Sequence, residues 1–237
     1  MFVRRQAGIG LLLLWWLTGC ALQPQPQEAA YRLPQPLFVS EEQRWWCSGI
    51  RMPMSEQRAL WHLDTLLADR VFKPALSAEA QSISVWRFHR RAADDATGHQ
   101  FSFWFYADAQ TAERVFAQVE ESSLLTGLHK AGYVQTLIND CAPSDAHTLQ
   151  ATSDPIWDER LQRSWPYFIM GASMHWLALI EDVSAGLPQP GNDPDALLAH
   201  YQQVNQEIAG IWQQQGRHAY LHHLTALFGY QPLLIRF

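Results

Sequence analysis

Residues 81–91, QSISVWRFHRR, and 99–106, HQFSFWFY, are the stretch whose reading decides the fold. In the first run Ile83 and Val85, with Arg87, alternate against Ser84, Trp86 and Phe88. In the second, Phe101, Phe103 and Phe105 alternate against Ser102, Trp104 and Tyr106. A period of two with aromatic and β-branched residues is the mark of a strand. The polar link between the runs holds Asp94-Asp95 and Thr97-Gly98, which predicts an antiparallel hairpin. The Ser102–Trp104–Tyr106 side is only half polar, so the sheet is expected to be covered on both faces.

Helical patterns surround the hairpin. On the amino-terminal side, residues 41–53 read as an irregular lead-in, because Trp45 and Trp46 cannot share one face of a strand. Ser55 then caps a helix to about Arg70, with Leu60, Leu63, Leu66 and Leu67 as its stripe and Lys73-Pro74 as its stop. On the other side, Asp108 caps a helix to about Glu121, whose buried stripe is Ala112, Val115, Phe116 and Val119. A short helix from Ser123 to about Gly132 follows, and residues 133–138, YVQTLI, read as a third strand. Residues 139–153 are a loop. Asp154-Pro155 predicts a helix to about Arg163. Residues 167–170 then read as a short extended piece, and residues 173–183 as a helix, a strand being the alternative. Pro166, His175 and Glu181-Asp182 keep the apolar run 165–183 from reading as a membrane span. Asp193 or Asp195 starts the longest helix, closed by Gly216. A last helix over 218–228 ends at Gly229, and LLIRF at 233–237 reads as an edge strand. The sum is an α+β domain, helix-rich around a small, mainly antiparallel sheet. It occupies residues 38–237 as one unit, with no internal repeat.

The chain begins MFVRRQAGIGLLLLWWLTGC. Arg4 and Arg5 precede a short apolar core, and Leu17-Thr18-Gly19 lead to Cys20. Basic start, short core and small residues make a secretory signal over residues 1–19, since a settled membrane helix needs about 20 apolar residues. The four residues Leu17-Thr18-Gly19-Cys20 resemble the lipobox of bacterial lipoproteins. That resemblance implies cleavage before Cys20, a diacylglyceryl group on its thiol, and acylation of the new amino terminus with a fatty acid such as palmitate. Ala21, where an aspartate retains lipoproteins in the inner membrane, resembles the outer-membrane class of Gram-negative bacteria. The expected address is therefore the outer membrane, with the domain facing the periplasm and the acyl chains as its contact with the bilayer. Residues 20–37 then form a tether. Prolines 24, 26, 34 and 36 alternate with glutamines and exclude helix or central strand. At roughly 3 Å per residue, about 15 such residues reach some 45 Å.

Charge and cysteine usage fit that address. The formal charge of −6 becomes −8 once Arg4 and Arg5 are removed, and there is no basic block. Such a chain is a poor partner for nucleic acid or for anionic head groups. With Cys20 acylated, Cys47 and Cys141 remain as an even pair in an oxidising compartment, and they are expected to form one disulfide. Tryptophan is abundant, 11 residues in 237. Most of it reads as core packing, with a remainder available to line a groove.

No motif names a reaction. His218 and His222 are one helical turn apart and would share a metal only with a third ligand, His200 or Glu207. They lack the glutamate of HExxH. Ser173, in Gly171-Ala172-Ser173-Met174-His175, lacks the second glycine of a nucleophile elbow. Glu181 and Asp182 are adjacent and point apart on a helix. There is no phosphate cradle and no cofactor fingerprint. The leading expectation is a non-enzymatic, membrane-anchored binding or assembly module for an envelope protein. The alternatives are a periplasmic hydrolase or metal-binding protein using the His218/His222 region, and a carrier of lipid or glycan.

Overall fold

A computed structural model describes residues 42–53, 60–91, 98–191 and 193–232. The signal, Cys20, the tether, the Ser55 cap, the Asp94-Asp95 turn and the final LLIRF lie outside the described residues. Contacts divide the chain into two units, Met1–Gln35 and Pro36–Phe237, and all described residues belong to the second.

Among the described residues, four strands form one antiparallel sheet: β1 (Arg44–Arg51), β2 (Val85–Arg91), β3 (Gln100–Ala107) and β4 (Thr136–Asn139), in the order β2-β3-β1-β4. The hairpin β2–β3 has Phe88 opposite Phe103 and Trp86 opposite Phe105. The irregular lead-in expected at 41–53 is instead an interior strand, flanked by β3 and β4. The adjacent tryptophans are the reason. In a pleated strand, neighbours point to opposite faces, and this sheet buries both. Trp46, Ser48 and Ile50 join Phe101, Phe103 and Phe105 on one face, while Trp45 and Cys47 join Tyr106 and Trp104 on the other. Two adjacent large apolar residues therefore signal a doubly covered strand here. The third strand expected over 133–138 is the fourth in chain order, because residues 44–51 also form one, and pairing confines it to four residues, Thr136–Asn139.

Helices cover the phenylalanine face. Trp61–Leu67 (α1) runs through a π-helical turn, Ala68–Phe72, into Lys73–Ala78 (α2). Pro74 thus does not end the helix as expected. It sits in the first turn of α2, where its missing N–H is tolerated. The turn delivers Phe72 onto the sheet, its ring 5.7 Å from Phe101 and 5.5 Å from Phe103. Ala109–Glu120 (α3) starts where expected, the Asp108 carboxylate accepting the Thr111 N–H at 2.7 Å. Phe116 from α3 sits edge-on to both Trp46 and Phe105. Ser123–Lys130 (α4) is capped by Ser122.

Glu159–Gly186 (α5) is a single helix of 28 residues. Two expectations fail here. Asp154-Pro155 makes a turn, the Asp154 carboxylate accepting from Ile156 N, and Asp158 is the true cap. Residues 167–170 are helical, not extended. Pro166 lies inside the helix and removes the donor that Gln162 C=O would take. That carbonyl is satisfied from outside: Ser153 Oγ donates to it at 2.9 Å. A tertiary hydroxyl thus substitutes for the lost amide. The helix over 173–183 is as expected. Asp193 caps Pro194–Gly216 (α6), which packs on α1 and α5. Gly216 does not close it. The helix passes through a π turn, Arg217–His222, into His223–Leu227 (α7). Among the described residues, no helix is long and apolar enough to cross a membrane.

The opposite face is covered by the 140–153 loop. Trp45 Nε1 donates to Leu149 C=O, Trp45 N to Ala146 C=O, and Tyr106 Oη to His147 C=O. Arg44 holds Asp140 at 2.9 Å. The Cys47–Cys141 disulfide forms, with Cα atoms 4.9 Å apart. Gly49 leaves it room: a Cβ there would lie 2.7 Å from Gln100 Nε2 and 3.3 Å from Cys141 Sγ.

The bridge spans 94 residues of chain, and a closure of that length is worth about 4.7 kcal/mol by chain entropy. The Cys47→Ala/Cys141→Ala protein is expected to unfold at a clearly lower urea midpoint while keeping its far-UV CD spectrum. An unchanged midpoint would show that the β1–β4 pairing alone holds the loop.

Candidate functional site

Helix α5 makes the candidate sites, because it lies along the outer edge of β2. Strand β2 is an edge strand, and such edges leave outward backbone groups needing partners. Ser173 supplies one: its Oγ accepts the Phe88 N–H at 3.1 Å and donates to Ile169 C=O at 2.8 Å. The buried hydroxyl is committed twice to backbone, so Ser173 closes the sheet edge and is not poised as a nucleophile. A Cβ at Gly171 would meet open space, so that glycine is not needed for close packing.

The imidazoles do not converge on a metal. His218 and His222 stack with ring centroids 5.5 Å apart and planes 8° from parallel, so their in-plane lone pairs do not meet at one point. His223 sits edge-on to both. His200 is buried with its Nε2 2.9 Å from Ser184 Oγ. It lies 18 residues before His218, about 27 Å along a helix. Glu207 accepts from Gln203. Among the described residues, no three histidine, cysteine or carboxylate side chains are grouped to hold a metal ion.

A buried charged cluster ties α5 and α6 to the sheet, and sequence reasoning did not find it. Asp64, on α1, is fully buried. One carboxylate oxygen lies 3.0 Å from Arg90 Nε on β2, the other 3.0 Å from Nε2 of the equally buried His99. Arg90 also donates to Trp61 C=O at 3.2 Å and lies under the Trp176 ring, 4.4 Å from its centroid. Burial pulls the Arg90 pKa down, while Asp64 opposes that shift. An arginine stays charged under such pressure. Thr65, beside Asp64, donates to Asn205 of α6. The sequence signal was slight: a single aspartate between leucines of a helix stripe, and an arginine inside an aromatic strand.

Two cavities flank α5, with Arg90, Ala172 and Trp176 as their common wall. The larger, about 1010 Å³, is a groove between α5 and the α6–α7 arm. Its sides are apolar: Phe168, Trp176 and Leu179 face Ile208, Trp212 and Leu224. Trp212 stacks on Tyr220 with centroids 5.6 Å apart, and Tyr220 Oη meets His175 Nε2 at 2.8 Å across the groove. Gly216 makes room for this, since a Cβ there would lie 3.1 Å from the Trp212 ring. Trp212 stays 59% exposed, and Leu221, Leu224, Leu227 and Phe228 continue the apolar surface. The smaller cavity, about 660 Å³, lies between α5, β2 and residues 152–157. It is lined by Arg87, His89, Trp157 and Trp165 among others. Burial holds the Arg87 pKa down to about 10. His89 is pushed below its ordinary value by burial and by the cations Arg87 and Arg91.

Comparison with known proteins finds no matching family model, no matching curated protein and no matching solved structure.

Removing one partner of a buried ion pair costs about 3–5 kcal/mol, because the other charge stays buried. Asp64→Leu is expected to lose stability on that scale in urea unfolding, and Asp64→Leu/Arg90→Met to recover a large part of it. Additive losses would show that the two side chains do not act as a pair.

His62 and His89 both have folded pKa values below 6.5, burial being the main cause. The unfolded chain therefore binds more protons, and stability falls as pH drops below about 6.5. The urea midpoint is expected to decrease between pH 7 and pH 5. His62→Gln/His89→Gln should flatten that slope; an unaltered slope would assign it to other groups.

Proposed function

We propose that the protein is a non-enzymatic lipoprotein of the Gram-negative outer membrane. Cys20 carries the acyl anchor, residues 20–37 are the tether, and the folded domain works in the periplasm by binding a partner protein. The groove between α5 and the α6–α7 arm is the docking surface, and an amphipathic helix of the partner is its occupant.

One observation carries this reading: two helices present matched apolar stripes to the same groove. On α5 the lining positions are 167, 168, 171, 172, 175, 176 and 179, and on α6 they are 205, 208, 209 and 212. Positions recurring every three to four residues, singly or in adjacent pairs, put one face of each helix on the groove, the arrangement into which the ridges of a third helix pack. Contiguous apolar surface of this kind, with an exposed tryptophan at its centre, marks an interaction site. The acidic chain disfavours nucleic acid, and the double backbone commitment of Ser173 and the stacked His218/His222 rings give the hydrolase and metal readings no support. A second reading, a carrier of lipid, draws on the same groove, whose volume and apolar walls also suit acyl chains.

The test places a photo-crosslinking residue at Leu224 of the full-length protein in intact envelopes, with the exposed Arg160 as the comparison site. A discrete protein adduct is expected from position 224 and none from position 160. Trp212→Ala is expected to weaken that complex by about 2 kcal/mol, near thirtyfold. Adducts of lipid mass only would favour the carrier reading. Equal adducts from both positions, or a full-length, unprocessed chain in the cytoplasm, would overturn the proposal.

A further inference from the structure

The smaller cavity on the other side of α5 carries an inference independent of the groove. Its distinguishing group is Arg87, on β2. Arg87 has no carboxylate partner and no hydrogen-bond acceptor among the described residues; its guanidinium lies over the Trp104 ring, 5.0 Å from the centroid. Its Nε is sealed from solvent without an acceptor, and so is Trp104 Nε1 beside it. Buried donors are satisfied in the large majority of cases, and an uncompensated guanidinium is the costliest kind to leave unmet. Arg44, Arg90 and Arg114 each meet a carboxylate, that of Asp140, Asp64 and Glu79 respectively. Arg51 and Arg90 also have a buried Nε without an acceptor, but Arg90 lies 3.0 Å from the Asp64 carboxylate and Arg51 lines neither cavity; Arg87, in a chain of net charge −6, opens onto one.

The rest of the wall defines what fits. Trp157 and Trp165 meet edge-on, 4.9 Å between centroids, and both remain half-buried, so ring faces are available to a ligand. Arg90 lines the cavity too, but Asp64 already balances it. Asp154 sits at the rim, its Oδ1 accepting from Ile156 N. His89, held toward its neutral form, adds no full charge near pH 7. One unbalanced cation with a carboxylate at the rim selects a monoanion over a phosphate dianion. A planar guanidinium matches a carboxylate with two parallel hydrogen bonds.

We propose that this cavity binds a small carboxylate-bearing molecule, its carboxylate on Arg87 and its ring or aliphatic body against Trp157 and Trp165. The structural cost of leaving Arg87 unpaired in the free protein is then returned on binding.

Isothermal titration of the full-length protein in detergent tests this with benzoate, benzamide and inorganic phosphate as probes. Benzoate is expected to bind at least tenfold more tightly than benzamide, which has the same ring and no charge, and more tightly than phosphate. Arg87→Gln should lose benzoate binding tenfold or more, with its thermal midpoint unchanged or raised, because an uncompensated charge has been removed. Arg87→Lys, which keeps the charge and loses the fork, should fall between. Thermal shift of the unaltered protein gives a readout that needs no variant: benzoate raises the midpoint and benzamide does not. Equal binding of benzoate and benzamide, tighter binding of phosphate, no binding of benzoate at tens of millimolar, or full retention by Arg87→Gln would each overturn the assignment.

Discussion

Trp45 and Trp46 stand side by side on β1 and point to opposite faces of the same sheet, so both faces need cover. Most of the architecture answers that need. On the side of Trp46, the three phenylalanines of β3 are roofed by the α1–α2 helix, α3, α5 and α6. On the side of Trp45, among the described residues, α5 contributes only Tyr167 and Met170. A loop does the work, tied down by backbone hydrogen bonds from Trp45 and Tyr106 and by the Cys47–Cys141 bridge. A loop has little apolar area to bury, and covalent closure offsets that deficit. The disulfide and the loop are two parts of one solution.

The edge of β2 sets the second requirement, and α5 meets it. A helix laid along a strand edge leaves clefts on both of its sides, one against the sheet and one against the next helix. Pro166 and Ser153 show how the placement is stabilised. The proline costs the helix one amide donor, and the hydroxyl that replaces it comes from the same loop that covers Trp45. Both cavities therefore inherit their walls from elements whose first task is structural. What distinguishes them is chemistry: one is lined by aliphatic and aromatic side chains at helical spacing, the other by tryptophans and an arginine without a counter-charge.

The charged groups divide along the same line. Arg90 and Asp64 sit where strand, α1 and α6 meet, and their pairing holds those elements in register at a point where apolar packing alone has no direction. Arg87, three residues earlier on the other face of β2, has no such partner. Period-two alternation sends the two arginines to opposite faces of one strand; both reach the smaller cavity, but only Arg90 has a carboxylate beside it.

Local pattern and composition determined much of this protein. The α+β class, the β2–β3 hairpin and its two faces, the Asp108 cap, the helix over 173–183, the start of α6 at one of Asp193 and Asp195 and the Cys47–Cys141 pairing all follow from alternation, capping chemistry and cysteine count, which act within a few residues or on the whole chain. Only the tertiary structure decided the rest, because the competing terms were long-range. Residues 44–51 became an interior strand since a second buried face rewards Trp45 as much as Trp46. Pro166 did not end α5 since Ser153 arrived from another segment, and Pro74 did not end the first helix since a π turn absorbed it. The Asp64–Arg90–His99 cluster, the apolar groove and the cavity at Arg87 depend on which elements meet, and no short window of sequence contains that information.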